Sequence, residues 1–267
     1  MSAVRPAAVA GMFYAASSEV LGAEVRAYLE RTAPLAEGAV RPKALIVPHA
    51  GYIYSGATAA AAYRRLAAGC ENIDRVVLLG PAHRVRLRGL AVPSVDAFAT
   101  PLGEVEVDRA LVARALTLPQ VTESDRAHEP EHSLEVQLPF LQVLLGSFRL
   151  VPFAVGDATA AQVAEVIELL WDGPETLIVV SSDLSHYHSY DEARVLDRAS
   201  AQTVLTLSPT LGYEQACGAL PINGLLTVAR HRGLRPELLD LRNSGDTAGD
   251  KSRVVGYGSF LFSEVAP

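Results

Sequence analysis

The sequence predicts a layered α/β domain with helices on both faces of a sheet. Two observations carry that expectation. Short apolar runs alternate from end to end with longer stretches of helical period. Polar, metal-capable residues also follow directly after three of the apolar runs, where open α/β sheets hold their ligands. In chain order, Ser18 to Glu30 reads as a helix with Leu21, Val25 and Leu29 on one face. Ala44 to Val47 reads as a strand, Ala57 to Ala67 as an Ala-rich helix suited to close packing, and Arg75 to Leu79 as a second strand. Helix Leu134 to Leu145, strand Arg149 to Val155, helix Ala160 to Leu170 and strand Thr176 to Val180 follow. Helices Glu192 to Leu207 and Gly224 to His231 precede a last strand, Val254 to Phe262. No linker, repeat or low-complexity tract interrupts the pattern.

At 267 residues, with 49% hydrophobic and 20% charged residues, the composition is that of an ordered globular protein. A chain of this length buries about three quarters of its unfolded surface, so a metal would serve function and is not needed for folding. The net charge of −7 gives no general basic footprint for nucleic acid. The short basic cluster Arg84, Arg86 and Arg88 reads as a solvated edge. Two cysteines, Cys70 and Cys217, build no disulfide framework and suit a reducing compartment. No apolar run approaches the roughly 18 residues of a membrane span. The stretch Ala7 to Ala16 resembles a signal-peptide core but contains Gly11 and Tyr14, so it is read as mature sequence and the protein as cytoplasmic.

Chemistry gathers after the strands: His49 after the first, His83 after the second, Asp183 and His186 after Thr176 to Val180. A lone histidine is more often a surface or structural residue. Three of seven at the same kind of position instead suggest one pocket, because strand ends converge in space. In Pro48-His49-Ala50-Gly51-Tyr52, Gly51 offers positive φ or close backbone approach, or marks an ordinary strand-to-helix turn. Gly80-Pro81-Ala82-His83 reads as a sharp turn that aims an imidazole. Cys217, shortly before a helical pattern, is either a ligand or nucleophile of lowered pKa or an inert buried thiol. Cys70 takes the inert reading.

His128-Glu129-Pro130-Glu131-His132 matches H-E-x-x-H literally, but that motif needs both histidines on one continuous helix, and Pro130 forbids it. The segment is therefore expected to lie outside the metal site. Glu131, His132 and Glu135 remain candidates for supporting roles around a pocket, with capping and surface charge as equal explanations. No G-x-S-x-G, Walker loop or G-x-G-x-x-G occurs, which lowers serine hydrolases, P-loop enzymes and dinucleotide-dependent enzymes.

The segments Arg5 to Tyr14, Pro48 to Tyr52, Gly80 to His83, Glu131 to Glu135, Ser181 to His186, Cys217-Gly218 and Pro221-Ile222 resemble those of the Memo-like proteins over nearly the whole chain. That family is similar in fold to class III extradiol dioxygenases. The resemblance implies one domain over residues 1–267, a three-layer α/β/α arrangement on a central mixed sheet with a metal-capable pocket. Carried over by position, His49, His83 and Cys217 would ligate metal, with His186 nearby and Asp183 beside it. The dioxygenase relatives use two histidines and a carboxylate on Fe(II). A thiol at Cys217 instead favours Cu(I), Zn or thiolate-ligated iron. The resemblance also implies radical SAM and AMMECR-type partners.

Three functions follow as expectations. The first is an Fe(II)- or Cu(I)-dependent oxidoreductase acting on a small aromatic compound, with His186 as general acid/base and Asp183 orienting it or supplying a supporting hydrogen bond. The second is a metal- or peptide-binding scaffold without turnover, and zinc would suit it. The third is a Cys217–His186 hydrolase, for which no oxyanion-hole motif is visible.

Overall fold

The computed structural model describes residues 3–32, 42–67 and 72–264, so the reading of Cys70 lies outside the described residues. The elements begin with β1 (Val4–Arg5), α1 (Ser18–Arg31), β2 (Pro42–Val47), α2 (Tyr52–Tyr63), β3 (Arg75–Pro81), β4 (Leu90–Val92), β5 (Ala97–Thr100) and β6 (Gly103–Glu106). Next come α3 (Arg109–Ala115), β7 (Val121–Glu123), α4 (Asp125–His128), α5 (Leu138–Leu145), β8 (Arg149–Val155), α6 (Ala160–Leu169) and β9 (Thr176–Ser181). The chain ends with β10 (His186–His188), α7 (Tyr190–Leu205), α8 (Ala219–Arg232), β11 (Arg235–Asn243) and β12 (Val254–Ser263).

The main sheet runs β10-β12-β2-β9-β3-β8-β4-β7, with β11 paired to β12. Its centre, β2-β9-β3-β8, is parallel, and every residue of β2 and β9 is buried. Parallel strands covered on both faces read as unbroken apolar runs, which is why these were visible in sequence. β12 joins β2 antiparallel and β4 joins β8 antiparallel, so the sheet is mixed. A second, three-stranded sheet is ordered β1-β5-β6. Helices α1, α2 and α5 pack on one another, and α6 packs on α8, giving the three-layer α/β/α architecture. Gly224 allows the α6–α8 approach, because a Cβ there would overlap the Val163 side chain.

Several boundaries moved for identifiable reasons. Helix α8 starts at Ala219, five residues before the expected Gly224. Pro221 sits in its first turn, where amide hydrogens have no partner inside the helix and a missing one costs nothing. The expected helix 134–145 is split into a 3-10 turn over Glu135–Gln137 and α5, since Pro139 has no N–H to give the Glu135 carbonyl. Helix α2 begins at Tyr52, and Gly51 is its N-cap at φ −55°, so the ordinary-turn reading of Gly51 holds. Among the elements missed, β11 starts Arg-Pro-Glu on the outer flank of β12 and is only half-buried, hence it lacks an apolar signature.

The N-terminal segment is fastened by Glu135, fully buried in the 3-10 turn. Its carboxylate accepts from Arg5 Nη1 at 2.7 Å, the Ala8 and Val9 amides at 2.7 and 3.0 Å, and the Tyr14 hydroxyl at 2.6 Å. Burial excludes the surface-charge reading of this residue. A Glu135→Ala variant strands the buried Arg5 cation, so urea denaturation should show a loss of about 3–5 kcal/mol. A loss under about 1 kcal/mol, the scale of an exposed ion pair, would mean the segment is held by other contacts.

Candidate metal centre

Three adjacent parallel strands end within one residue of the same level, and the residue two positions beyond each end carries the chemistry: His49 beyond Val47, His83 beyond Pro81, Asp183 beyond Ser181. Because β9 lies between β2 and β3, these groups gather. They open into a cavity of about 790 Å³ whose lining also includes His132, His186 and Cys217. All five residues singled out from the sequence therefore border one cavity, and His132 joins them.

The side-chain nitrogens of His49, His83 and His132 come within 4.8 Å of one another. Their ring centroids are 5.2, 5.4 and 4.9 Å apart for the pairs His49–His83, His49–His132 and His83–His132. The H-E-P-E-H segment thus divides. His128 closes α4, donates from Nε2 to the Ala91 carbonyl at 2.9 Å and lies buried beside Phe98, whereas His132 enters the cluster. His132 therefore reaches the cavity, the place the sequence leaves open to it in a supporting role, and comes close enough to His49 and His83 to share an ion with them. Proline separated the two roles by ending the helix between them.

Glu131, only 1% exposed, braces the cluster. It accepts from His83 Nδ1 at 2.9 Å, the His83 amide at 2.6 Å, and the His132 and Ser133 amides at 2.9 Å each. Burial alone would raise its pKa, but the His83 ring and these amides bring it down to about 2. An ionised carboxylate only accepts, so His83 carries a proton on Nδ1 and leaves Nε2 as the atom it can offer a metal. His186 is set the same way: its Nδ1 donates to the Leu184 carbonyl at 2.8 Å. Asp183 does not touch that ring; its Oδ1 accepts the His49 amide at 2.8 Å, and its carbonyl accepts the Cys217 amide at 3.3 Å.

Burial, reinforced by the neighbouring imidazoles, holds His49 well below the ordinary histidine value. His132 falls to about 4, mainly by burial. Both rings are neutral at physiological pH, the form in which imidazole ligates metal. Burial raises Asp183 to about 7 against the hydrogen bond from the His49 amide. The Cys217 thiol is pushed up to about 12 by burial and by Asp183, so its place before α8 does not make it a thiolate. Its Sγ lies 3.3 Å from His49 Nε2. The imidazole beside the thiol is thus His49's and not the His186 ring of the hydrolase reading. Gly218 makes this placement possible, because a Cβ there would sit 2.6 Å from Ser182 Cβ. Arg84 and Arg86 are exposed, as a solvated edge requires, and both border the cavity.

Sequence reasoning passed over Ser181 and Gln137, which are fully buried and bonded to each other beneath His49. The available signal was a glutamine inside Val136-Gln137-Leu138-Pro139-Phe140, an otherwise apolar run.

Among the described residues no helix is long and apolar enough to cross a membrane. Comparison with known proteins matches residues 5–261 to the family model described as Memo-like protein. A MEMO1 family protein of Aquifex aeolicus is 37% identical over 97% of this chain and 99% of its own length. One from Archaeoglobus fulgidus is 38% identical over 95% and 97%. Among solved structures, an uncharacterized Escherichia coli K12 protein, JW3007, superposes with a TM-score of 0.55 over 82% of this chain and 99% of that one, at 14% identity, a likeness of fold alone. With a family model spanning nearly its whole length and relatives at this identity, the chain belongs to the Memo-like protein family.

Proposed function

We propose that this protein binds one redox-active metal ion in the strand-end cavity and acts there as a metal-dependent oxidoreductase of the extradiol-dioxygenase type. The observation that supports this is the convergence of three imidazoles and a thiol, with the rings of His49 and His132 neutral and the His83 ring held through Nδ1 by Glu131. Such a set fits Fe(II), Cu(I) or Zn. His49 and His83 would hold the ion, with Cys217 as the third ligand carried over from the family resemblance and His132 as the donor the geometry adds. A redox-active ion bound there would supply Lewis-acid polarisation of a substrate hydroxyl and electron exchange with dioxygen.

The chain's own contribution is proton handling and positioning. His186, with Nδ1–H committed to the Leu184 carbonyl, has Nε2 free to take a proton from a substrate hydroxyl and return it. Asp183 supports the site from beneath by fixing the backbone of His49 and Cys217. The open cavity suits a small aromatic or peptide ligand, and the family resemblance supports radical SAM and AMMECR-type proteins as partners in the cytoplasm. A metal-binding scaffold without turnover is the second reading. Cys217 favours it, because a thiol stands where the dioxygenases carry a carboxylate.

Elemental analysis after anaerobic purification should find one metal per chain, lost in His49→Ala and His83→Ala and weakened in His132→Ala and Cys217→Ser. His128→Ala should keep it. Stoichiometry indifferent to the first four substitutions would refute the site, and zinc at full occupancy would move the function away from oxygen chemistry.

A His186→Ala variant should retain its metal and melting temperature while oxygen consumption with a panel of catechols falls roughly 10²- to 10⁴-fold. Undiminished consumption would remove the acid/base role. No consumption by metal-loaded wild type with any compound would put the scaffold ahead.

A further inference from the structure

Beneath His49 lies a buried polar chain that packing alone does not call for. Tyr63, Gln137, Ser181 and Ser133 have essentially no solvent exposure. The Tyr63 hydroxyl donates to Gln137 Oε1 at 2.9 Å. Gln137 Nε2 donates to the Pro48 carbonyl at 2.9 Å and to Ser181 Oγ at 2.7 Å. Ser181 Oγ lies 2.6 Å from the Ser133 carbonyl and 2.9 Å from His49 Nδ1.

The direction of every bond follows from which atoms can only accept. The Pro48 carbonyl only accepts, so the amide atom facing it is Nε2, and the glutamine orientation is fixed. The Ser133 carbonyl only accepts as well. At 2.6 Å the single hydroxyl proton of Ser181 must lie between those two oxygens, since otherwise two acceptors would face each other. Ser181 then has lone pairs only to offer its remaining neighbours. One takes the Gln137 amide proton and the other faces His49, so His49 carries its proton on Nδ1. Its Nε2 lone pair then points at the cavity, 3.3 Å from the Cys217 Sγ.

We infer that Ser181, itself oriented by Gln137, is a positioning residue that locks the metal-free protein into the His49 tautomer able to ligate metal. The cost of the arrangement supports a functional reading. Gln137 places a carboxamide in an apolar interior, where an aliphatic residue would fill the volume without a set of bonds that must all be satisfied. Of the rings around the cavity, His83 and His186 are set by a carboxylate and a carbonyl, which cannot donate. A hydroxyl can do either, and His49 is therefore the ring that needs a second residue to settle its partner. The lock rests on metal binding at His49 for its purpose but not for its existence.

The test is two-bond ¹H–¹⁵N correlation spectroscopy of the histidine rings in metal-free, full-length protein, with metal affinity measured separately. In the wild type, His49 should show a protonated Nδ1 and an unprotonated Nε2. In Ser181→Ala, with no acceptor under Nδ1, Nε2 should become protonated in a substantial fraction of molecules, and affinity for Fe(II) or Zn should drop about 10- to 100-fold when measured at a temperature where the variant is still fully folded. A wild-type His49 protonated on Nε2 overturns the inference and needs no variant to fold. An unchanged tautomer in Ser181→Ala overturns it too, and unchanged affinity despite tautomer mixing overturns the positioning role. If the wild type shows the predicted tautomer but binds no metal, the proposed function fails while the lock stands.

Discussion

A buried carboxylate must be surrounded by donors, and that requirement organises this protein around residues 131–137. Glu131, Ser133, Glu135 and Gln137 are all at most 1% exposed. Each solves its burial by bonding to a different part of the chain. Glu131 gathers the loop after β3, Ser133 donates to Pro81 and accepts from Ser181, Glu135 fastens the N-terminus, and Gln137 joins the loop after β2 to the end of β9. The alternation of polar residues in this segment is a chain of obligations, and the loops beyond the three strand ends are tied together by the same bonds that satisfy it. A cavity whose ligands come from β2, β3 and β9 needs such a clamp, because nothing in the sheet itself fixes loops beyond the last ladder bond.

How far the sequence could be read follows from where its signals are local. Four of the five main strands were legible because a doubly covered parallel sheet needs unbroken apolar runs, the antiparallel β12 because it too is buried along nearly its whole length, and the six helices because they need a periodic stripe. Short strands such as β4 and β7, three residues each, carry no periodicity, and β11 has the composition of a loop. His49, His83, Asp183 and His186 were legible as strand-end residues. His132 was legible only as a candidate for a supporting role, because its place among the other imidazoles depends on the turn at Glu129-Pro130 and on where the following segment docks. Ser181 and Gln137 were hidden for the same reason: a buried glutamine looks like a surface one until its partners, Tyr63 and Pro48, are placed beside it.

The donors around the cavity differ in how ready they are. The His49 and His132 rings are neutral, so a cation meets open lone pairs there without displacing a proton from the ring. The thiol of Cys217, with its pKa near 12, must give up a proton to ligate, and its Sγ lies 3.3 Å from His49 Nε2 and 3.6 Å from the Asp183 carbonyl that accepts from it. On the proposed reading, an oxygen- or nitrogen-preferring ion such as Fe(II) is served by the three imidazoles, whereas a softer ion gains enough from sulfur to offset the deprotonation. A single backbone arrangement thus offers two donor sets that share His49 and His83.

This places His49 at the centre of both. Its ring is the one in contact with the thiol, it stands beside both other imidazoles, and its backbone amide is held by the buried Asp183. A ring with so many neighbours could face them in either tautomer, and only one of the two leaves a lone pair on the cavity side. The polar chain from Tyr63 through Gln137 and Ser181 resolves that choice from the interior, out of reach of solvent and independent of what occupies the cavity. The hydrogen-bond order of the core, set when residues 131–137 dock against β9, therefore decides the chemistry available at the surface of the sheet.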